Sequence, residues 1–206
     1  QMCIRDSNSS MQAYQAGDVR FIDQNNDGRI DIKDRISLGS AAPDYFGGFY
    51  TNFRYRHFAL SAEFAYSKGN KAYNAVRRTL ESASSFSNQS VAVSNRWSVE
   101  GQVTDMPRAT FGDAIGNNNF SSRWIEDASY LRIKNITLSY NFDKPIWNFF
   151  RSGTIYVTGE NLLTATKYLG LDPEFAYSSS DNATQGFDYA KVMQPKSVKL
   201  GINLKF

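Results

Sequence analysis

Lys196-Ser-Val-Lys-Leu-Gly-Ile-Asn-Leu-Lys-Phe206 alternates with almost no exception: Val198, Leu200, Ile202, Leu204 and Phe206 fall on one face, and Ser197, Lys199, Gly201, Asn203 and Lys205 on the other. A period of two marks a β-strand, and a run of this length is long enough to cross a bilayer. Taken alone, the segment fits a transmembrane strand ending on an aromatic residue, or an edge strand of a soluble sheet. The rest of the chain has to decide between them.

Four more segments alternate. Residues 46–55 set Phe49, Thr51, Phe53 and Tyr55 against Tyr50, Asn52 and Arg54, and residues 58–67 set Phe58, Leu60, Ala62, Phe64 and Tyr66 against Ala59, Ser61, Glu63, Ala65 and Ser67. Only Arg56 and His57 separate them, which predicts a tight antiparallel hairpin. In residues 130–142 the phase changes: Leu131 and Ile133 share one parity, and Ile136, Leu138, Tyr140 and Phe142 take the other. One extra residue at Lys134 or Asn135 restores a continuous apolar face, so a β-bulge is expected there. Residues 154–162 place Ile155 and Val157 opposite Tyr156, Thr158 and Glu160.

The gaps between these segments alternate between short and long. Residues 143–153, with Pro145, form a modest turn, whereas residues 68–129 and 163–195 are long and rich in Ser, Asn, Gly and Asp. Structureless connections of that size are uncommon in compact soluble domains. Short turns at one end and long loops at the other are the asymmetry of outer-membrane barrels. On this reading Phe58, Leu60, Phe64, Leu138, Val198, Leu200, Ile202 and Leu204 face lipid. Tyr55, Phe58, Tyr140, Phe142, Trp147 and Phe206 gather near the periplasmic interface, and Tyr50, Tyr66 and Tyr130 near the outer one. The expected fold is all-β, an antiparallel sheet. Five strands cannot close such a barrel, which predicts that the chain is a fragment. Residues 1–10 read as a non-native or disordered remnant, because Gln1–Ser7 (QMCIRDS) matches nothing in the pattern, and residues 11–206 read as the barrel portion.

Composition permits this reading without requiring it. The 15% aromatic content suits interfacial girdles, and equally sandwiches or sugar-binding surfaces. A net charge of +3 with interspersed signs gives no basic stripe for nucleic acid. One cysteine, Cys3, allows no internal disulfide, and one histidine, His57, placed in a predicted turn, leaves no His/Cys metal set or Ser-His-Asp triad. Mean hydropathy of −0.47 does not exclude transmembrane strands, whose alternate residues face a polar lumen.

Asp23-Gln-Asn25-Asn-Asp27-Gly28-Arg29-Ile-Asp31-Ile-Lys-Asp34 matches a calcium loop nearly position for position. Side-chain oxygens fall at the first, third, fifth, ninth and twelfth places, from Asp23, Asn25, Asp27, Asp31 and Asp34. Gly28 sits at the sixth, where the chain must turn sharply, and Arg29 can offer its carbonyl at the seventh. The twelfth place departs from the EF-hand, since Asp34 stands where Glu would reach the ion with both oxygens. A solvated Asn/Asp/Gly turn is the alternative.

Several separated motifs resemble one family in the right order. They are Gly17-Asp18-Val-Arg-Phe-Ile-Asp23 with the loop through Asp34-Arg35, Asn95-Arg96-Trp97, Asp105-Met106-Pro107-Arg108, Trp124-Ile-Glu-Asp-Ala-Ser-Tyr130-Leu-Arg-Ile-Lys-Asn135, Gly159-Glu-Asn161-Leu162, residues 168–173 and Gly201-Ile-Asn-Leu-Lys-Phe206. Together they resemble the C-terminal end of SusC/RagA-type TonB-linked outer-membrane transporters of Bacteroidota. The resemblance implies a 22-stranded barrel with a plugged lumen, this chain supplying the last five strands. It also implies a SusD-like surface lipoprotein as partner in importing oligosaccharides or peptides, and a TonB contact in the receptor's N-terminal part. Lys199, Gly201, Leu204 and Phe206 further resemble the signal read by the barrel-assembly machinery.

Two other classes compete. A secreted calcium-binding β domain that binds glycans would explain the loop and the aromatics but not the alternation of gaps. An enzyme could draw a carboxylate pair from Glu63, Glu160, Asp172 and Glu174, but their spacing fixes no geometry, so no catalytic residue is assigned.

Overall fold

The computed structural model describes residues 14–142, 151–175 and 184–205. In chain order the elements are β1 (Tyr45–Tyr55), β2 (Phe58–Lys68), β3 (Lys71–Asn74), α1 (Ala75–Leu80), β4 (Ile125–Asp127), β5 (Tyr130–Phe142), β6 (Ser152–Thr166), β7 (Phe187–Asp188) and β8 (Ser197–Lys205). They fall into two compact units, one of described residues 40–71, 127–175 and 191–205, the other of 14–39, 72–126 and 184–190.

The first unit is a five-stranded antiparallel meander, β1-β2-β5-β6-β8. Its register follows from the side-chain pattern. Phe53 pairs with Leu60, Leu60 with Leu138, Leu138 with Val157 and Val157 with Leu200, so one apolar row runs across all five strands. The next row in from the turn end reads Thr51, Ala62, Ile136, Gly159 and Val198. The opposite face carries Asn52, Ser61, Thr137, Thr158 and Lys199 in the same way. Directly opposed residues share a face, so a slip of one residue in any strand would mix the two.

The bulge falls where the phase change predicts it. Against β2, Glu63 and Phe64 are consecutive while their partners Asn135 and Ile133 skip Lys134. Against β6 the partners of Asn135 and Ile133 are Glu160 and Leu163, so Asn161 and Leu162 lie opposite Lys134. Asn161 adopts φ 51°, a left-handed conformation that Asn tolerates. The kink hides the continuation of β6 from a period-two reading, which is why the strand reaches Thr166 and not residue 162.

Two expectations need correction. Tyr50 is not at an outer rim; it pairs with Glu63 at mid-strand on the polar face. Tyr55, Phe58 and Tyr140 do meet at the turn end, with the Phe58 and Tyr140 ring centroids 5.0 Å apart, while Trp147 and Phe206 lie outside the described residues. Nor is the stretch 68–129 structureless. It supplies β3, β4, α1 and three 3-10 turns to the second unit, where β3 lies between β4 and β7 and pairs with β7 in parallel.

That second unit is held by two small cores. Trp124 packs with Tyr73 and Ala75, and Met106 with Ala83 and Val93. The short helix α1 is capped by the Asn74 side chain, which accepts from the Arg77 N–H at 2.9 Å. Arg77 in turn ion-pairs with Glu81 at 3.0 Å and Glu126 at 2.9 Å.

Candidate functional site

The sheet's two faces differ chemically. On the apolar face Phe53, Leu60, Leu138, Val157, Leu200 and Ile202 are all exposed, Leu200 by 75%. Phe64 is half-buried, stacked on Phe49 with centroids 4.4 Å apart. On the polar face the hydroxyls of Thr137 and Thr158 meet at 2.8 Å, Thr154 donates to Asn141 Oδ1 at 2.7 Å, and Glu160 accepts from Ser197 at 2.8 Å and from Lys199 at 2.5 Å. Gly201 pairs with Tyr156, and a Cβ there would overlap the phenol ring. Tyr156 therefore covers the backbone that the glycine leaves bare. Of the expected assembly-signal residues, Lys199 and Gly201 lie on the polar face, Leu204 pairs with Gly153 on the apolar face, and Phe206 is outside the described residues.

The bulge also gathers charge. Arg132 has its side chain 3% exposed, and its guanidinium bonds to Asp172, to Glu174 at 2.9 Å and to Thr164 at 2.9 Å. Lys134, the extra residue, reaches the same Glu174 at 2.6 Å. Asp172 additionally accepts the N–H of Glu174 at 2.9 Å and of Gln194 at 3.1 Å. Burial pushes the Asp172 carboxyl up, but Arg132 and these two N–H groups outweigh it and hold it below the usual carboxylate range. Asp172 and Glu174 thus neutralise cations on the sheet, and Glu160 does so for Lys199.

The expected calcium loop forms a closed turn. Asp23 accepts the Gly28 N–H at 2.8 Å, Asn25 that of Asp27 at 2.9 Å, Asp27 that of Arg29 at 2.9 Å, and Asp31 that of Lys33 at 2.7 Å. Asp34 spans the loop, accepting from Gln24 and Asp31, each at 2.8 Å, and these N–H groups hold its carboxyl below the usual range. Among the described residues no group of three or more His, Cys, Asp or Glu side chains is gathered to hold a metal ion. One atom nevertheless fits a cation: Asp23 Oδ1 is buried with no hydrogen-bond partner. Asp23, Asn25, Asp27, Asp31 and Asp34 are therefore in one loop, with their oxygens turned largely to its own backbone.

In the same unit Asp18 is buried and accepts from Arg108 at 2.7 and 3.1 Å, from Asn117 at 3.0 Å and from the Gln15 N–H at 2.8 Å. Burial pushes its carboxyl up, and these bonds more than reverse that, leaving it below the usual range. Gly17, at φ 85°, leaves no room for a Cβ beneath Trp97, and its carbonyl accepts the Arg108 N–H at 2.9 Å.

Over 195 residues the chain is 32% identical to a TonB-dependent receptor of Formosa agariphila, a match covering 92% of this chain and 20% of that protein. The TonB-dependent receptor SusC of Bacteroides thetaiotaomicron is 28% identical over 193 residues, 90% of this chain and 17% of SusC. Among solved structures, the RagAB peptide transporter superposes with a TM-score of 0.70 at 26% identity, over 87% of this chain and 19% of that one. The chain is homologous to TonB-dependent receptors of the SusC/RagA type. It spans about a fifth of the length of these relatives. No family model matches it.

The motifs that carry the SusC/RagA likeness converge in space. The strand motif at Tyr130–Asn135 meets the loop motif at 168–173 through Arg132 and Asp172. Gly17 and Asp18 meet the Trp97 and Arg108 motifs. Sequence reading gave Arg132 no role and Lys134 only that of a bulge residue; the available signal for their charge was two cations at a phase change, where a bulge can turn both toward one side.

Proposed function

We propose that this chain is wall and loop of an outer-membrane TonB-dependent transporter, forming the last five strands of a 22-stranded barrel in a Bacteroidota-like bacterium. The transporter would import oligosaccharides or peptides together with a SusD-like lipoprotein, with the TonB complex engaging the receptor's N-terminal part. One observation carries the reading: every strand of the sheet contributes to a single exposed apolar face, an area that soluble monomers rarely leave open. That face suits lipid, and the opposite face, lined by hydroxyls, amides and balanced ion pairs, suits a hydrated lumen. The test is Leu200→Arg in the full-length receptor. The charge should cost about 2–4 kcal/mol near the bilayer midplane and lower the amount of heat-modifiable barrel. Unchanged assembly would mean that Leu200 does not face lipid.

A structural calcium ion is part of the same proposal. Asp23, Asn25, Asp27, Asp31 and Asp34 would hold it with side-chain oxygens, and Arg29 with its carbonyl, stiffening the loop ahead of β1. The ligand order and the unpartnered Asp23 Oδ1 support it. Asp27→Ala should abolish calcium uptake measured by calorimetry on the full-length receptor, and equal uptake by both forms would reduce the loop to a turn.

A further inference from the structure

Period-two alternation leaves the docking of β8 on β6 ambiguous in one respect. A slip of one residue exchanges the two faces of the strand, but a slip of two restores them. In the observed register Ile155 meets Ile202 and Val157 meets Leu200. Moved two residues either way, Ile155 would meet Leu200 or Leu204 and Val157 would meet Val198 or Ile202, so the apolar face is served equally well. The ion pair does not decide either. Lys199, opposite Thr158, reaches Glu160 diagonally, and the slip that sets Asn203 opposite Tyr156 would bring Lys199 directly opposite Glu160.

Tyr156 and Gly201 do distinguish the registers. They stand directly opposite each other on the polar face, and the three atoms nearest to a Cβ built at Gly201 all belong to the Tyr156 phenol, which it would overlap. Gly201 does not adopt a positive φ, so its extended backbone is one that any residue can hold. The ring alone demands glycine there. Gly201 is also the one glycine between Ser197 and Lys205. In either slipped register the ring would face Lys199 or Asn203, whose Cβ takes the place it now fills, and it would have to swing off the strand. Aromatic cover over a bare glycine backbone thus belongs to one register only.

We propose that the Tyr156 ring and the Gly201 recess set the register in which the terminal strand docks, with Tyr156 as the positioning residue. Gly201 then has a duty inside the sheet, separate from any reading of the terminus by the assembly machinery. For a barrel the consequence is large, because strand stagger, tilt and diameter are linked, and a slip of two residues at the closing strand changes all three. Only that consequence rests on the barrel reading. The pairing itself is a property of the β6–β8 ladder, so its failure would leave the Leu200→Arg test untouched.

The test is disulfide trapping in membranes carrying the full-length receptor with its other cysteines replaced by serine. Thr154→Cys with Asn203→Cys reports the observed register. Thr154→Cys with Lys205→Cys and Thr158→Cys with Ser197→Cys report the two slips, since in the observed register each pair is offset by two residues, roughly 7 Å along the strand and out of disulfide reach. Each reporter is placed in the parent and in Tyr156→Phe, Tyr156→Thr and Gly201→Ala, and cross-linking is scored in the inserted, heat-modifiable fraction. Tyr156→Phe keeps the ring and should trap the observed pair as the parent does. Tyr156→Thr removes the ring while keeping strand preference, and Gly201→Ala fills the recess. Slipped cross-links should rise about fivefold in one or both of these, the factor that one strong cross-strand pair is worth. Weaker packing alone would lower the amount of inserted receptor without producing slipped pairs. The rival anchors of β8 are single hydrogen bonds ahead of it, from the Gln194 N–H to Asp172 and from the Asn161 amide to the Pro195 carbonyl. If they set the register, only the observed pair is trapped in both Tyr156→Thr and Gly201→Ala, and the proposal falls. Slipped pairs in Tyr156→Phe would overturn it as well.

Discussion

Asp172 joins three stretches of backbone through one carboxylate. It meets Arg132 on β5, caps the N–H of Glu174 beside it and accepts the N–H of Gln194, 22 residues further on. Its pKa is lower folded than unfolded, so its contribution is complete above the ordinary carboxylate value near 3.9 and is lost as pH falls through the lower folded value. Amide exchange in residues 168–175 and 191–195 of the full-length receptor, corrected for intrinsic rates, should therefore show equal protection at pH 7 and pH 5 and a loss only below about pH 4. Asp172→Ala should expose the same amides at every pH. It would cost about 3 kcal/mol, the low end for breaking a buried pair, because Glu174 still faces Arg132. Exchange unchanged by that substitution would show that the loop is held by something else. None of this was legible beforehand: Asp172 and Glu174 attract notice as acids, but their partners lie about 40 residues away on a strand, and spacing alone does not bring them together.

Strand β5 shows where sequence does determine structure. Its phase change predicts the bulge, and Lys134 is the residue skipped by both neighbouring ladders. Deleting Lys134 would force Ile136, Leu138 and Tyr140 onto the polar face or break pairing with β2 and β6, because one residue of slip inverts every later side chain. Lys134→Ala keeps the register and loses only a half-exposed contact with Glu174, worth at most about 1 kcal/mol. The deletion should thus reduce heat-modifiable, membrane-inserted receptor several-fold, and the substitution should leave it nearly unchanged. Equal losses would mean that the charge matters and the register does not. Period-two alternation made the five strands and their faces readable from residues such as Phe53, Leu60, Leu138, Val157 and Leu200. The second unit was not readable, because its pieces are too short to show a period. A four-residue strand, a six-residue helix and single 3-10 turns are stabilised by distant partners such as Tyr73 with Trp124 and Asp18 with Arg108.

At the scale of the whole molecule the open question is how the sheet finds its remaining neighbours. β1 and β8 are its two edges, each with one paired side, and long bare edges are a hazard unless another strand covers them. In the proposed barrel β8 must seal against a strand outside this chain, so its end should carry information beyond lipid matching. The contacts of β8 separate the two roles. Leu204 stands on the apolar face, whereas Gly201 is fixed by Tyr156 and Lys199 by Glu160 on the polar side. Leu204→Ile preserves apolarity and strand preference and should assemble normally. Deleting Phe206 removes a terminal aromatic without altering any pair in the described ladder, which ends at Lys205 opposite Ser152. If the terminus is read by the assembly machinery, cells making the full-length receptor should show far less heat-modifiable barrel with the deletion than with the substitution. Equal assembly of the two variants would restrict the terminal pattern to matching lipid.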